Sequence, residues 1–336
     1  MAYPLPPAAR QVFNQFIALS AKAYSAEPGQ EFTATPMVEN TLIKKLVENG
    51  GWFMPYLTIM LVRQLKGEKI AMSVSGGSAT RTKIVGNAKR QARNLIQLIN
   101  ANYELFEVDN DIRVLYATLD AWSEFPNFAD LFNTLVKEAM ANDIIRVGWN
   151  GTTTADTTDI ATNPDMSDLL VGWLQIMREF NSGSNYLDGA STGIVLGSRQ
   201  YPTLDSVVNE LKYTIPVHLR DGLIAMVSDD LMGYSEGQYY RSPEMTEAKK
   251  AMIESGRQIV TTYGGLPAVV PPFFIDGGIL LTTPGNLQYY MQRGSIRRTI
   301  RDEPDYSSVA DYNSCNGGYV VYNEEQAVFA DGITVA

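Results

Sequence analysis

Asp109-Asn110-Asp111 and Asp229-Asp230 are where residue type and spacing come nearest to catalysis in this 336-residue chain, because neighbouring carboxylates can offer oxygens to Mg²⁺ or Ca²⁺. The first pair falls within YELFEVDNDIRVLY, Tyr103 to Tyr116, where acids interleave with Leu105, Phe106, Val108, Ile112 and Val114; it reads as the solvated face of strands. The second pair follows an apolar run and reads as the start of a turn. A metal-assisted hydrolase using these four aspartates is the one enzymatic alternative the residues leave open. The other chemistries lack parts. His218 is the only histidine, so a two-His metal site is excluded and any Ser-His-Asp arrangement has a single base to draw on. Cys315 is the only cysteine, which excludes an intramolecular disulfide and Cys-based zinc patterns, and fits folding in a reducing compartment. No base stands beside it in Asn313-Ser314-Cys315-Asn316. Ser75-Gly76-Gly77-Ser78 lacks the lysine of a phosphate-cradling loop, and no G-x-S-x-G elbow occurs. The expectation is a non-enzyme with no catalytic, cofactor or metal site.

Charge says more than any motif. Between Arg63 and Arg93 stand Arg63, Lys66, Lys69, Arg81, Lys83, Lys89, Arg90 and Arg93 against one acid, Glu68. That stretch carries +7 inside a chain of net −10, which leaves −17 on the rest. It alternates short apolar side chains around Gly76-Gly77 and has too few large hydrophobes for its own core. A lone hairpin is marginal in water, so such an arm needs a partner surface, and another copy of this acidic chain supplies one. Lys66, Lys69, Arg81, Lys83, Lys89, Arg90 and Arg93 are therefore candidate intersubunit contacts. Arg293, Arg297, Arg298 and Arg301 form a second basic cluster. Arg297 and Arg298 would point to opposite faces of a strand, pairing within or between subunits with the acidic tail, where Asp302, Glu303, Asp305, Asp311, Glu324, Glu325 and Asp331 lie. A pI near 4.8 argues against a nucleic-acid reader, though not against enclosing nucleic acid without gripping it. No run reaches the length of a membrane span and no leader pattern opens the chain, so an unexported chain without membrane contact is expected.

The elements that would position these residues follow from periodicity. Val12, Phe13, Phe16 and Ile17 predict an N-terminal helix, and Thr35-Pro36 opens a second one that ends at Asn49-Gly50-Gly51. Extended runs, Tyr56 to Leu61 and Tyr103 to Tyr116, flank the basic arm as its base. Asn127 then caps a long helix in which Phe128, Leu131, Phe132, Leu135, Val136, Ala139, Met140, Ile144 and Val147 recur at spacings of three and four; all are expected to pack, making this helix a spine. An amphipathic helix is predicted from Met166 to Met177, a linker over Asn181 to Gly197, and a helix capped by Thr203. Leu223 to Val227 reads as a buried strand, Glu244 to Ser255 as a polar helix, and Leu266–Ile275, Ile279–Thr283, Leu287–Met291 and Ile296–Ile300 as strands. Tyr319–Tyr322 and Ala327–Phe329 read as a closing hairpin.

This order of N-terminal arm, basic hairpin, spine helix and C-terminal α/β unit resembles the major capsid proteins of tailed bacteriophages, with the Hong Kong phage-type shell fold. Leu65-Lys-Gly-Glu-Lys-Ile70, Thr118-Leu-Asp-Ala-Trp122, Trp149-Asn-Gly151, Asn163-Pro164 to Gln175, Gly265-Leu-Pro-Ala-Val269 and Asn286-Leu-Gln-Tyr-Tyr-Met291 followed by Arg297-Arg298 sharpen the resemblance to the peduovirus (P-two-like) family. The resemblance implies an α+β chain: 1–56 an N-terminal arm, 57–117 an extended loop with its β base, 118–202 a peripheral domain with the spine helix, and 203–336 mainly an axial domain, its last strands returning to the peripheral one. It implies hexamers and pentamers closing into an icosahedral shell around double-stranded DNA held without sequence-specific contacts. It further implies a virion protein assembled in the host bacterial cytoplasm, with scaffolding, maturation protease, portal and decoration proteins as partners. In such relatives the segment before the counterpart of Glu31-Phe32-Thr33 is removed, so residues 1–32 are expected to be a removable segment cut at Phe32 and Thr33, the alternative being that the N-terminal helix is kept as a permanent staple. A bacterial nanocompartment shell of the same fold is the structural alternative.

Overall fold

The computed structural model describes Arg10, Asn14 and Ala18, all helical, and residues 32–33, 36–74, 96–122, 128–241 and 262–336. The expected stripe of Val12, Phe13, Phe16 and Ile17, the tip of the basic arm and the polar helix over Glu244 to Ser255 lie outside the described residues.

Two sheets organise the chain. The first is built on one 14-residue strand, Ser308–Val321. Leu287–Gln292 and Arg297–Glu303 run antiparallel to it, Phe106–Asp109 and Ile112–Leu115 pair with it as well, Thr58–Val62 adds parallel to Leu287–Gln292, and Phe32–Thr33 adds beside Arg297–Glu303. The second sheet orders Thr262–Tyr263, Leu266–Val269, Ile224–Val227, Ile279–Thr282, Val328–Asp331 and Tyr186–Asp188. Its central strands are buried at every position, and apolar at all but Thr282, because both faces are covered. Ile224, Met226, Leu280 and Phe329 join the core beneath the spine helix, whereas Ala225, Val227, Ile279, Leu281, Val328 and Ala330 join a second core closed by Leu204, Val207, Val208 and Leu211 of the helix Leu204–Thr214.

The spine helix, Phe128–Asn150, spans 23 residues, about 34 Å at 1.5 Å per residue. Its C-terminal half is the buried half: Ala141, Ile145, Val147 and Trp149 are all enclosed. Its N-terminal half departs from expectation, since Leu131 and Leu135 are 45% and 52% exposed and only Val136 is buried among the described apolar residues there. A helix packs one stripe, and a run apolar over more than a stripe leaves the excess in solvent.

Four further expectations are corrected. The helix expected from Met166 starts at Trp173 and ends at Glu179. Residues 163–172 instead fold as turns laid back on the end of the spine, with Thr152 N–H donating to Ser167 O and Gly172 N–H to Gly151 O. A Cβ on Gly172 would stand 2.5 Å from Gly148 O, and one on Gly148 would stand 2.1 Å from the Trp173 ring, so the two segments meet through paired glycines and the helix begins only beyond them. The expected linker over Asn181 to Gly197 contains the strand Tyr186–Asp188, an edge of the second sheet. Asp229-Asp230 opens a helix, Asp229–Arg241, rather than a turn. The expected closing hairpin is a crossover: Ser308–Val321 belongs to the first sheet and Val328–Asp331 to the second. Asn286 forces this turn, donating from Nδ2 to Asn323 O (3.0 Å) and accepting from Asn323 N–H (2.8 Å), while the Asn323 side chain caps the short 3-10 turn Glu324–Gln326.

Candidate functional site

The root of the basic arm is a ladder of two nine-residue strands, Lys66–Val74 and Ile96–Glu104, with Lys66 opposite Glu104 and Val74 opposite Ile96. At about 3.4 Å per residue it carries the chain about 30 Å. Neither strand joins either large sheet, so side chains must fasten the ladder to the body. Leu105 N–H donates to Leu65 O (2.8 Å), and Leu105, Tyr290 and Val320 form a small core with Val62 and Tyr103. The Tyr103 ring meets Tyr290 edge-on at 5.1 Å and crosses Gly67, where a Cβ would stand 2.6 Å from the tyrosine hydroxyl; any larger residue would push the ring away.

Strand alternation then sorts the lysines. Lys66 and Glu68 face out, and Lys66 makes an exposed ion pair with Glu104. Lys69, two positions after Gly67, faces the body. It is buried, and its Nζ donates to Val321 O (2.5 Å) and to the Glu324 carboxylate (2.6 Å), itself buried. Lys69, expected as an intersubunit contact, has its charge met within the subunit instead: a charged amine on the inward face must find its counter-charge inside the chain. The period-2 spacing from Gly67 to Lys69 in Leu65-Lys-Gly-Glu-Lys-Ile70 was the available signal. Arg81, Lys83, Lys89, Arg90 and Arg93 lie outside the described residues.

The arginine pair divides the same way. Arg297 is exposed and donates to Glu107 (3.0 Å). Arg298 is buried, its Nε and a terminal nitrogen on the two Asp311 oxygens at 2.9 and 2.6 Å, with Asn133 of the spine helix at 3.1 Å. Arg298 clasps the spine to the first sheet within one subunit, the intrachain pairing with the acidic tail that is one of its two expected roles. Phe32 and Thr33 stand opposite Arg298 and Arg297 as a two-residue edge strand, and Arg10 pairs with Asp302 (3.2 Å) on the same ladder strand.

The acidic pairs are not brought together. Asp109 and Asp111 border the turn between two strands of the first sheet, beside a cleft of about 240 Å³ that Asp143, Cys315 and Tyr319 also line. Partial burial raises the pKa of both; Asp111 and Glu107 push Asp109 up further, and Asp311 pushes Asp111 up against the lowering effect of the Asn313 N–H. Asp230 lies at the second sheet, accepting from Gly277 N–H. Among the described residues, no group of three or more His, Cys, Asp and Glu side chains is placed to hold a metal ion. His218 is exposed in the turn Val217–Leu219. Cys315 is buried, which pushes its thiol up to about 12, so it is protonated and unreactive at neutral pH.

What the geometry shows is therefore a two-stranded ladder fastened at its root, carrying the start of the basic run on an otherwise acidic chain. The family described as "Phage major capsid protein, P2 family" matches residues 12–333. The major capsid protein of Serratia phage KSP20 is 28% identical over 97% of each chain, and the capsid protein of Escherichia phage P2 is 28% identical over 96% of this chain and 94% of its own. A solved chain of the satellite phage P4 procapsid, a structure that includes the size determination (Sid) protein, superposes with a TM-score of 0.71 at 27% identity, covering 88% of this chain and all of that one. A capsid chain of a native GTA particle shares the fold alone, at 14% identity and a TM-score of 0.53, covering 84% of this chain and 90% of its own. With the architecture and these likenesses together, the chain belongs to the P2 family of phage major capsid proteins, shell-forming structural proteins of tailed phages with the Hong Kong phage-type fold.

Proposed function

We propose that copies of this chain form hexamers and pentamers of an icosahedral shell around double-stranded DNA, the basic hairpin of each lying on the acidic body of a neighbour. The observation that carries this reading is the hairpin itself: it has net +7 between Arg63 and Arg93, has a ladder apart from both large sheets and is fastened at its root. The four units of the chain are the arm 1–56, the extended loop and its base 57–117, the peripheral domain 118–202 and the mainly axial domain 203–336. The −17 on the remainder of the chain suits a lining that repels rather than traps phosphate. The chain acts by packing, without catalysis of its own. It assembles in the host cytoplasm with scaffolding, portal and decoration proteins, and a separate protease cuts near Phe32 and Thr33.

The test is charge reversal. Lys89→Glu, Arg90→Glu and Arg93→Glu together should leave subunit thermal unfolding unchanged and abolish or strongly reduce shells counted by negative-stain microscopy. Normal assembly of this variant at physiological salt would remove the electrostatic latch. For the N-terminus, intact mass of mature particles should place the first residue near Thr33; a full-length mass would refute removal.

A further inference from the structure

We propose that the buried Lys69–Glu324 ion pair is a positioning device that sets the direction in which the hairpin leaves the subunit, and so governs whether shells close at one size. The proposal rests on the assembly reading above and adds to it two residues buried within the subunit.

The pair joins two regions that nothing else in the backbone ladders connects. Lys69 lies in the fourth position of the strand Lys66–Val74, within a two-stranded ladder outside both large sheets. Glu324 opens the 3-10 turn at which the chain crosses from the first sheet to the second. That turn is held from several directions: Asn286 clamps Asn323, Asn185 Nδ2 donates to Glu324 O (2.9 Å) and to Ala327 O (3.0 Å), and Gln326 Nε2 donates to Leu219 O (3.2 Å). Glu324 is therefore a fixed post at the junction of both sheets, and Lys69 ties the hairpin to it.

The other root contacts do not set an angle as sharply. The Tyr103–Tyr290 contact and the Leu105 cluster are apolar, and apolar contact is non-directional. The ion pair is directional and demanding, with side chains only 2% and 7% exposed and the Nζ bound to both a carboxylate and the Val321 carbonyl. Rotating the hairpin about its root would pull the buried amine away from its buried carboxylate. Replacing a buried ion pair by apolar side chains of similar size is often neutral for stability, so its use here is to exclude other hairpin directions rather than to hold the fold. A small change of angle at the root moves the far end of a ladder about 30 Å long by many ångströms.

The experiment compares wild type with Lys69→Met/Glu324→Met and with Lys69→Arg. Subunit thermal unfolding and the diameter distribution of assembled shells are read for each, with the wild-type chain establishing that shells form under the conditions used. The double variant should unfold within a few degrees of wild type but lose the single-diameter population to open sheets and mixed sizes; Lys69→Arg, which keeps the pair, should retain it. Uniform shells from the double variant would overturn the proposal. A second measurement needs no variant: in a reconstruction of the wild-type shell, Lys69 Nζ should stay within hydrogen-bond reach of Glu324 in every symmetry-distinct copy. A broken pair in any copy of the closed shell would equally overturn it.

Discussion

Trp149 shows how one side chain ties the elements together. Its indole is 1% exposed, packs against Trp173 and Phe274 at 5.0 Å and Phe53 at 5.7 Å, and donates from Nε1 to Pro272 O (3.1 Å). Trp173 in turn donates to Gln288 O (2.9 Å) and meets Tyr319, whose hydroxyl returns to Ile144 O on the spine helix (2.8 Å). Each polar atom is satisfied, so truncation loses packing and a hydrogen bond together. Trp149→Ala should cost about 3–5 kcal/mol in denaturant unfolding of the subunit. Cys315 gives a pH prediction. Its thiol titrates at about 12 in the fold and at 9.0 as a free group, so the folded state holds the proton more tightly. Its contribution is present below pH 9 and is lost as the pH rises toward 12. Native protein at pH 8 should resist iodoacetamide, with rapid labelling once unfolded; fast native labelling would show an open site.

At the scale of elements, the spine helix has two unlike halves. The buried C-terminal half should be intolerant of substitution. Leu135, although it fits the apolar repeat, is half exposed, so Leu135→Ala should shift subunit unfolding by under about 1 kcal/mol, against the loss expected for a packed leucine. A loss of several kcal/mol would mean that Leu135 is covered within the subunit. The strand Ser308–Val321 is the element on which most of the first sheet depends, pairing with four other strands along its length. Its departure into the second sheet at Asn323 makes the C-terminal segment a staple between the two cores rather than a terminal hairpin.

The whole molecule is a charge-divided body. An arm of net +7 on a chain of net −10 should associate with copies of itself in a salt-dependent way, because the Debye length falls from about 8 Å at 0.15 M salt to about 3 Å at 1 M. Assembly followed by light scattering should slow and lose yield as NaCl rises over that range, with subunit unfolding little changed. Assembly indifferent to salt would shift the weight to apolar contacts.

The sequence by itself determined the class and most element types, since periods of two and of 3.6 are local properties of a chain and the six short motifs stood in their order without any contact being known. It also marked Arg297 and Arg298 as opposite-facing, a consequence of strand alternation along the chain, whereas the burial that keeps Cys315 protonated comes from the fold. Only the tertiary structure decided which apolar residues are covered, because amphipathicity does not say how much of a stripe a partner reaches, as Leu131 and Leu135 show. It alone separated the two strands joined by Asn323–Gln326, since that depends on Asn286, 37 residues away. And it alone turned Lys69 inward: burial of an amine is settled by whether a distant carboxylate, here Glu324 at a separation of 255 residues, is waiting to receive it.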